Sequence, residues 1–222
     1  MLTFSSLKFK LMKYFSRRVL MKNLNLYIDS LKENNIKVLN IGSGGAFGKL
    51  INLVNKFDVV NIDFDENKKP DILFDIMSAP LKDNLFHSIF FLEVLEHVKN
   101  PFKAIEEIKR LLKPGGELIL SVPFVYPEHD IPHDYFRFTK YGIKLLLKDF
   151  DIIKIEKRSD FIHTIIILLF RLQMSKYKSD RIIGVFLIAP ILFCYPVFYI
   201  LSKLIKTDYF SSGFFVIAKK RM

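Results

Sequence analysis

Cysteine is nearly absent from this chain. Cys194 is the only one in 222 residues, which excludes an intramolecular disulfide and a cysteine-built metal cluster. Acids are scarce beside bases: 23 Asp and Glu stand against 34 Lys and Arg, a net charge of +11. Two common nucleotide signatures are missing. No Gly-Lys-Ser or Gly-Lys-Thr follows the glycine cluster at 42–45, which excludes a P-loop. The third glycine of a Gly-x-Gly-x-x-Gly fingerprint would fall at Phe47. A side chain of that size would push helix and strand apart, which excludes a dinucleotide site of the usual kind. No apolar stretch of leader type opens the chain, because Lys8, Lys10, Lys13, Arg17 and Arg18 interrupt it, so no cleaved leader is expected.

What remains is half hydrophobic, with 23 phenylalanines, and long enough for one domain with a full core. Its sharpest feature is Val38-Leu39-Asn40-Ile41-Gly42-Ser43-Gly44-Gly45. A second apolar run, Asp58-Val59-Val60-Asn61-Ile62, then stops at Asp63. That order reads as strand, tight turn, helix, strand, carboxylate. Glycines permit a sharp turn and a close approach to a ligand. A carboxylate at the next strand tip can accept two hydrogen bonds from a ribose diol. An adenosine-bearing cofactor is therefore expected at the carboxyl ends of parallel strands. Strands are expected at 37–41, 58–62, 71–74, 88–92, 117–121, 150–157 and 213–219. Helices are expected at 45–54, 101–112 and 139–148. This alternation predicts an α/β fold with a mostly parallel sheet covered on both faces.

Further motifs keep a set order: Asp75-Ile76-Met77-Ser78-Ala79-Pro80-Leu81, then Glu93-Val94-Leu95-Glu96-His97-Val98, then Leu112-Lys113-Pro114-Gly115-Gly116. Together with the glycine turn and Asp63 they resemble the class I S-adenosylmethionine-dependent methyltransferases, in particular the broad group acting on small molecules and glycans. The resemblance covers about 36–158 and resumes near 211–220. It implies a Rossmann-like three-layer sandwich whose seven-stranded sheet has an antiparallel last strand. It places S-adenosylmethionine on Asn40, Gly42, Ser43, Gly44, Asp63, Asp75, Ile76, Glu93 and His97. Gly42 and Gly44 would lie under the methionine part, and Asp63 would hold the ribose hydroxyls. Asp75 and the Ile76 backbone would address the adenine, and Glu93 and His97 would border the methyl-transfer pocket. His97 could instead serve a local carbonyl. Two positions depart from the family: Asn40 replaces the usual acid, and Ala46 a frequent glycine.

After the fifth strand comes Val122-Pro123-Phe124-Val125-Tyr126-Pro127-Glu128-His129-Asp130-Ile131-Pro132-His133-Asp134-Tyr135-Phe136-Arg137-Phe138-Thr139. In related methyltransferases such a segment, ending in Asp-Tyr-x-Arg-x-Thr, covers the active site. His129, His133, Asp134 and Arg137 are the candidate catalytic residues. A histidine base has a suitable pKa for a hydroxyl acceptor. Asp134 and Arg137 could instead pair with each other. A metal on His129, Asp130, His133 and Asp134 is disfavoured, because two prolines prevent a regular ligand face, and no metal is assigned.

The two ends of the chain carry a different signal. Lys8 to Lys22 mixes basic and apolar residues at roughly helical spacing, a basic amphipathic segment within 1–35. Between the last two strands, where the family needs a short link, 161–206 forms a hydrophobic insertion. Ile182 to Ser202 carries no charge and has the length of a membrane span. A single crossing would strand the final strand away from its sheet. Basic residues flank the run on both sides, Arg171, Lys176, Lys178 and Arg181 before it and Lys203 and Lys206 after it. A re-entrant or interfacial hairpin bent at Pro190 is therefore expected, with 162–170 lying flat beside it. Helices packed on the soluble domain or across an oligomer are the alternative. The methyltransferase domain is then 36–160 with 207–222.

The reading is S-adenosylmethionine-dependent methyl transfer to a small-molecule, glycan or lipid-linked acceptor at the cytoplasmic membrane surface. A catalytically silent membrane partner is the alternative that Asn40 and Ala46 keep open. Charge alone suggests a nucleic-acid methyltransferase. The Asn/Asp-Pro-Pro-Tyr signature of base-amino enzymes is missing, however, since Ser121-Val122-Pro123-Phe124 stands there.

Overall fold

The computed structural model of the protein describes residues 4–42, 44, 46–207 and 209–222. They fall into two compact units. The sheet unit spans Asp29–Pro123, His129–Glu156 and Phe214–Met222, and the helical unit spans Met1–Ile28, Phe124–Glu128 and Lys157–Gly213.

The sheet has seven strands: β1 (Ile36–Ile41), β2 (Phe57–Asp63), β3 (Ile72–Leu73), β4 (Phe86–Leu92), β5 (Leu112–Pro123), β6 (Phe150–Lys157) and β7 (Gly213–Lys220). Their order is β3-β2-β1-β4-β5-β7-β6. β1 pairs in parallel with β2 and β4, β2 with β3, and β4 with β5. β7 runs against its neighbours. Phe124 N donates to Ser212 O while, at the other end, Lys220 Nζ reaches Leu112 O. Arg158 N likewise meets Gly213 O while Arg221 meets Asp151. This is the expected Rossmann-like three-layer sandwich with an antiparallel last strand. The central strands are nearly continuous apolar runs because they are buried on both faces. Val38, Leu39, Ile89, Phe90, Phe91, Leu118 and Ile119 are all fully buried.

Helices α1 (Phe4–Ser30), α2 (Ala46–Ile51), α3 (Pro101–Leu111) and α4 (Lys140–Leu146) accompany the sheet in sequence. α3 starts where its sequence says it should. Asn100 caps it by accepting Lys103 N at 3.1 Å, and Pro101 takes the first turn. Ala104, Ile105, Ile108 and Leu111 form its buried stripe. β5 begins five residues earlier than expected. Lys113–Gly116 does not separate helix from strand. It is carried inside β5 as a bulge, so that Phe86 faces Leu112 but Ser88 faces Glu117. Gly115 holds φ +73 there, and a Cβ on Gly116 would stand 2.9 Å from Lys113 O.

The helical unit adds α5 (Phe161–Leu172), α6 (Lys178–Phe193) and α7 (Tyr195–Leu204). Met12 and Phe15 of α1 are buried against Ile166, Ile167 and Phe170 of α5 and Ile188 of α6. The buried ring of His163 ties α1, α5 and α7 together, with Asp160 on Nδ1 and both Arg18 and Tyr195 on Nε2. Two expectations change here. α5 is an interior helix rather than a second surface contact. The amino-terminal segment and the insertion, read from sequence as separate pieces, share one core. Met12 and Phe15 of α1 face that core.

α6 and α7 differ. No single helix among the described residues is long and apolar enough to cross a membrane, but α6 and α7 pass together as a pair bent by 80°. The break falls after Phe193, beyond Pro190. Much of the pair's apolar surface is open: Phe186 is 75% exposed, Phe193 88% and Ile200 61%.

Candidate active site

Strand order reverses between β1 and β4, and open α/β sheets bind ligands in the crevice beyond the carboxyl ends at such a point. Gly42 ends β1 with φ +77, and its N–H donates to Ile62 O at 2.9 Å. A Cβ on Gly42 would lie 2.3 Å from Val94 Cγ2. Only glycine therefore lets the β1 and β4 tips meet. Glu93, the first residue after β4, is itself left-handed at φ +59, a costly conformation for a side-chain-bearing residue. Ser121 holds it there: Glu93 N donates to Ser121 O, and Glu93 Oε1 accepts Ser121 Oγ at 2.7 Å.

At the β2 tip Asp63 is nearly buried. Its Oδ2 accepts Gly44 N at 3.4 Å and its Oδ1 accepts Asp65 N at 3.1 Å. Each carboxylate oxygen has two acceptor sites, so these bonds orient the group and leave each oxygen able to accept again. A diol is a natural partner for such a fork. Gly44 is also a tight position, because a Cβ there would meet Lys68 Cδ at 2.3 Å. Ser43 lies outside the described residues. Asp75 is exposed and caps a 3-10 turn by accepting Met77 N, with Ile76 buried behind it. Arg110 fixes the loop that follows, reaching Ala79 O, Leu81 O and Asp83.

Asn40 sits lower. It is buried within β1, and its Nδ2 donates to Asn61 Oδ1 at 2.8 Å. Asn61 in turn donates from both N and Nδ2 to Asp71. The amide thus joins β1 to β2, which explains an uncharged residue here: a carboxylate has no N–H to donate to the Asn61 amide oxygen.

The segment before α4, expected to cover the active site, docks on the turn after β4. Tyr135 N and Phe136 N both donate to Glu96 O. His97 Nδ1 bonds His133 O at 2.7 Å, and Phe138 N donates to Pro123 O. Inside the segment Arg137 grips Asp134 with two bonds of 2.7 and 2.6 Å, and Asp134 Oδ2 accepts His129 N. Burial works to raise the Asp134 carboxyl, but Arg137 and the His129 N–H overcome it and hold it at about 2. Thr139 caps α4 by accepting Gly142 N. The Asp-Tyr-x-Arg-x-Thr pattern is therefore a folding device: clamp, docking amides and helix cap. Asp134 and Arg137, expected as catalytic, are engaged with each other. His133 points outward and meets Tyr135 Oη at 3.0 Å. His97, expected beside the cofactor, is engaged by this segment.

His129 is the one of the four that faces Glu96. Its Nε2 lies 3.6 Å from Oε1 of Glu96, a residue with no exposed side-chain surface. Burial lifts the Glu96 carboxyl well above its usual range. Burial also works to lower His129, but Glu96 beside it more than offsets this and raises the imidazole. Glu96 was quoted in a motif yet given no role. The available signal was an acid next to fully buried Leu95, three residues after Glu93.

A family model for the methyltransferase domain matches residues 12–147, more than half of the chain. An uncharacterized protein of Methanocaldococcus jannaschii is 32% identical over 151 residues, 64% of this chain and 65% of that protein. The demethylmenaquinone methyltransferase of Renibacterium salmoninarum is 30% identical over 95 residues, 38% of this chain and 40% of the enzyme. The chain thus spans less than two thirds of either relative's length. Among solved structures, Haemonchus contortus phosphoethanolamine N-methyltransferase 2, in complex with S-adenosyl-L-methionine, superposes with a TM-score of 0.57 at 18% identity, covering 90% of this chain and 53% of that one. At that identity the likeness is one of fold. The domain match, with the diol-ready fork of Asp63 at the switch point, places this chain in the methyltransferase domain family.

Proposed function

We propose that the enzyme methylates an amphiphilic acceptor, a lipid-linked sugar, a lipid headgroup or a quinone-type lipid, at the cytoplasmic membrane surface. The observation that carries this reading is the open apolar surface of the bent α6–α7 pair. Exposed apolar surface on this scale marks a partner or a membrane. The insertion leaves from β6 and returns to β7, which are neighbours in one sheet, so its two ends belong on one side of a bilayer. Its basic flanks agree with that. The name of the relative acting on demethylmenaquinone lies within this acceptor class.

In this reading Gly42, Gly44, Asp63, Asp75, Ile76 and Glu93 hold the cofactor. S-adenosylmethionine supplies an electrophilic methyl group on a sulfonium. The protein's part is to hold the acceptor close and in line, which can supply much of the rate. The segment pinned on Glu96 closes the acceptor side. The test is flotation of the full chain with phosphatidylglycerol vesicles, followed by transfer of labelled methyl from S-adenosylmethionine into a membrane lipid extract. Co-flotation and label in the lipid phase are expected. A protein that stays in the soluble fraction and labels only water-soluble acceptors would overturn the reading.

A further inference from the structure

Glu96, His97 and His129 come from two segments more than thirty residues apart, yet their ligand-type atoms all lie within 4.8 Å of one another. His97 Nε2 stands 3.8 Å and His129 Nε2 3.6 Å from the same oxygen, Glu96 Oε1. These separations exceed hydrogen-bond length. They are close to the spacing of ligands around a shared ion. With bonds of about 2.1 Å, tetrahedral ligands stand about 3.4 Å apart.

The carboxylate supplies a second, independent observation. Glu96 is fully buried, and neither Oε1 nor Oε2 has a hydrogen bond. Buried carboxylates are paired, protonated or metal-bound, because an unsatisfied charge in the interior costs several kcal/mol, on the order of 5 or more. The surroundings of the histidines are those of metal ligands. His97 Nδ1 faces a carbonyl, His133 O, at 2.7 Å. A carbonyl only accepts, so Nδ1 donates to it and Nε2 is the ring atom left facing Glu96. His129 Nδ1 lies 3.4 Å from Asp134 Oδ2, and Asp134 is locked in turn by Arg137. A carboxylate or carbonyl behind each ring is the usual outer support of a metal-bound histidine.

We propose that Glu96, His97 and His129 form a site for a divalent transition metal of the class bound by two imidazoles and a carboxylate, with open positions for an outside oxygen. This set differs from the all-loop set weighed in the sequence, and it makes His129 a ligand rather than a base. Exposed Asp130, with Oδ2 3.9 Å from His97 Nε2, is placed to bind an incoming water or acceptor. In the enzyme the ion would hold and orient an acceptor oxygen. That role rests on the methyl-transfer reading, whereas the site itself does not.

The test uses the full chain, freed of metal by chelation, and the metals alone. Co2+ is titrated and followed by visible absorption, and Zn2+ and Mn2+ by calorimetry. No acceptor is needed, so failure here is separate from failure of the acceptor reading. One ion per chain is expected, with cobalt bands typical of nitrogen and oxygen ligands. Outer-shell changes alone cost ~10–100-fold in metal affinity, so Glu96→Gln, His97→Ala and His129→Ala should each weaken binding by about 100-fold or more. His133→Ala should leave it unchanged. Circular dichroism and retained S-adenosylmethionine binding establish that each variant is folded, and near-isosteric Glu96→Gln guards against unfolding as the cause. Absence of binding by all three metals to folded wild-type protein would overturn the proposal. So would binding that survives in all three ligand variants.

Discussion

Two parts of this molecule are equally apolar in sequence and opposite in structure. In β4, Ile89, Phe90 and Phe91 are fully sequestered between layers. In α6 and α7, Phe186, Phe193 and Ile200 stand open. Hydrophobic composition alone predicts burial for both. What separates them is whether the fold supplies a second layer. The parallel sheet always needs helices on its faces, and it has them. The bent pair has α5 behind Ile188 and nothing within the described chain over its outer residues. The same side-chain chemistry therefore stabilises the fold in one place and is available for a partner in the other.

The largest effect expected from this contrast comes from one residue type. Phe91→Ala should destabilise the protein by about 3–5 kcal/mol, whereas Phe193→Ala should stay within about 0.5 kcal/mol. Urea unfolding of both variants measures it, and equal losses would erase the distinction between the two regions. Asp63→Ala should weaken S-adenosylmethionine binding by about 100-fold or more. Two hydrogen bonds to a charged group are lost, each worth roughly 1.5–3 kcal/mol, and calorimetry reads the change. A Phe186→Asp, Phe193→Asp double variant should keep that affinity while losing vesicle flotation. Parallel loss of both functions would refute the separation of cofactor site and membrane face. Gly42→Ala should cost on the order of 1–3 kcal/mol through its positive φ and its collision with Val94. Val94→Ala in the same chain should recover part of it.

The smallest effects lie in the segment before α4. Thr139→Ala removes the α4 cap for about 1 kcal/mol. Asp134→Asn carries a pH signature. The Asp134 carboxyl is depressed to about 2 in the folded protein, against about 3.9 unfolded. Its contribution is present in full above the unfolded value and lost as pH falls through the folded one. The stability gap between wild type and Asp134→Asn should be constant from pH 7 to about 5 and narrow below about 4. A gap that widens on acidification would contradict the clamp.

Every expected strand formed, because each carries its own periodicity and its own turn residues. Edges moved where pairing decided them: β5 starts at Leu112 because the Pro-Gly-Gly turn is absorbed as a bulge opposite Phe86–Ser88. The glycine turn after β1 and the acid at the tip of the next strand, β2, were legible since they are set by local chain geometry. The docking of the segment before α4 on the turn after β4 was not. That His97 turns to His133 O and that Glu96 is buried beside His97 and His129 are results of docking one segment on another.

The sequence by itself determined the order of strands and helices, the glycine turn after β1, and the acid at the β2 tip, because propensity, periodicity and turn stereochemistry act over a few residues. Only the tertiary structure decided which apolar helix was interior, as α5 is, and which was open, as α6 and α7 are. It alone joined Asn40 to Asn61 and brought Glu96, His97 and His129 together. Burial and long-range pairing depend on what the rest of the chain places opposite a residue, and neighbours in sequence carry no record of that.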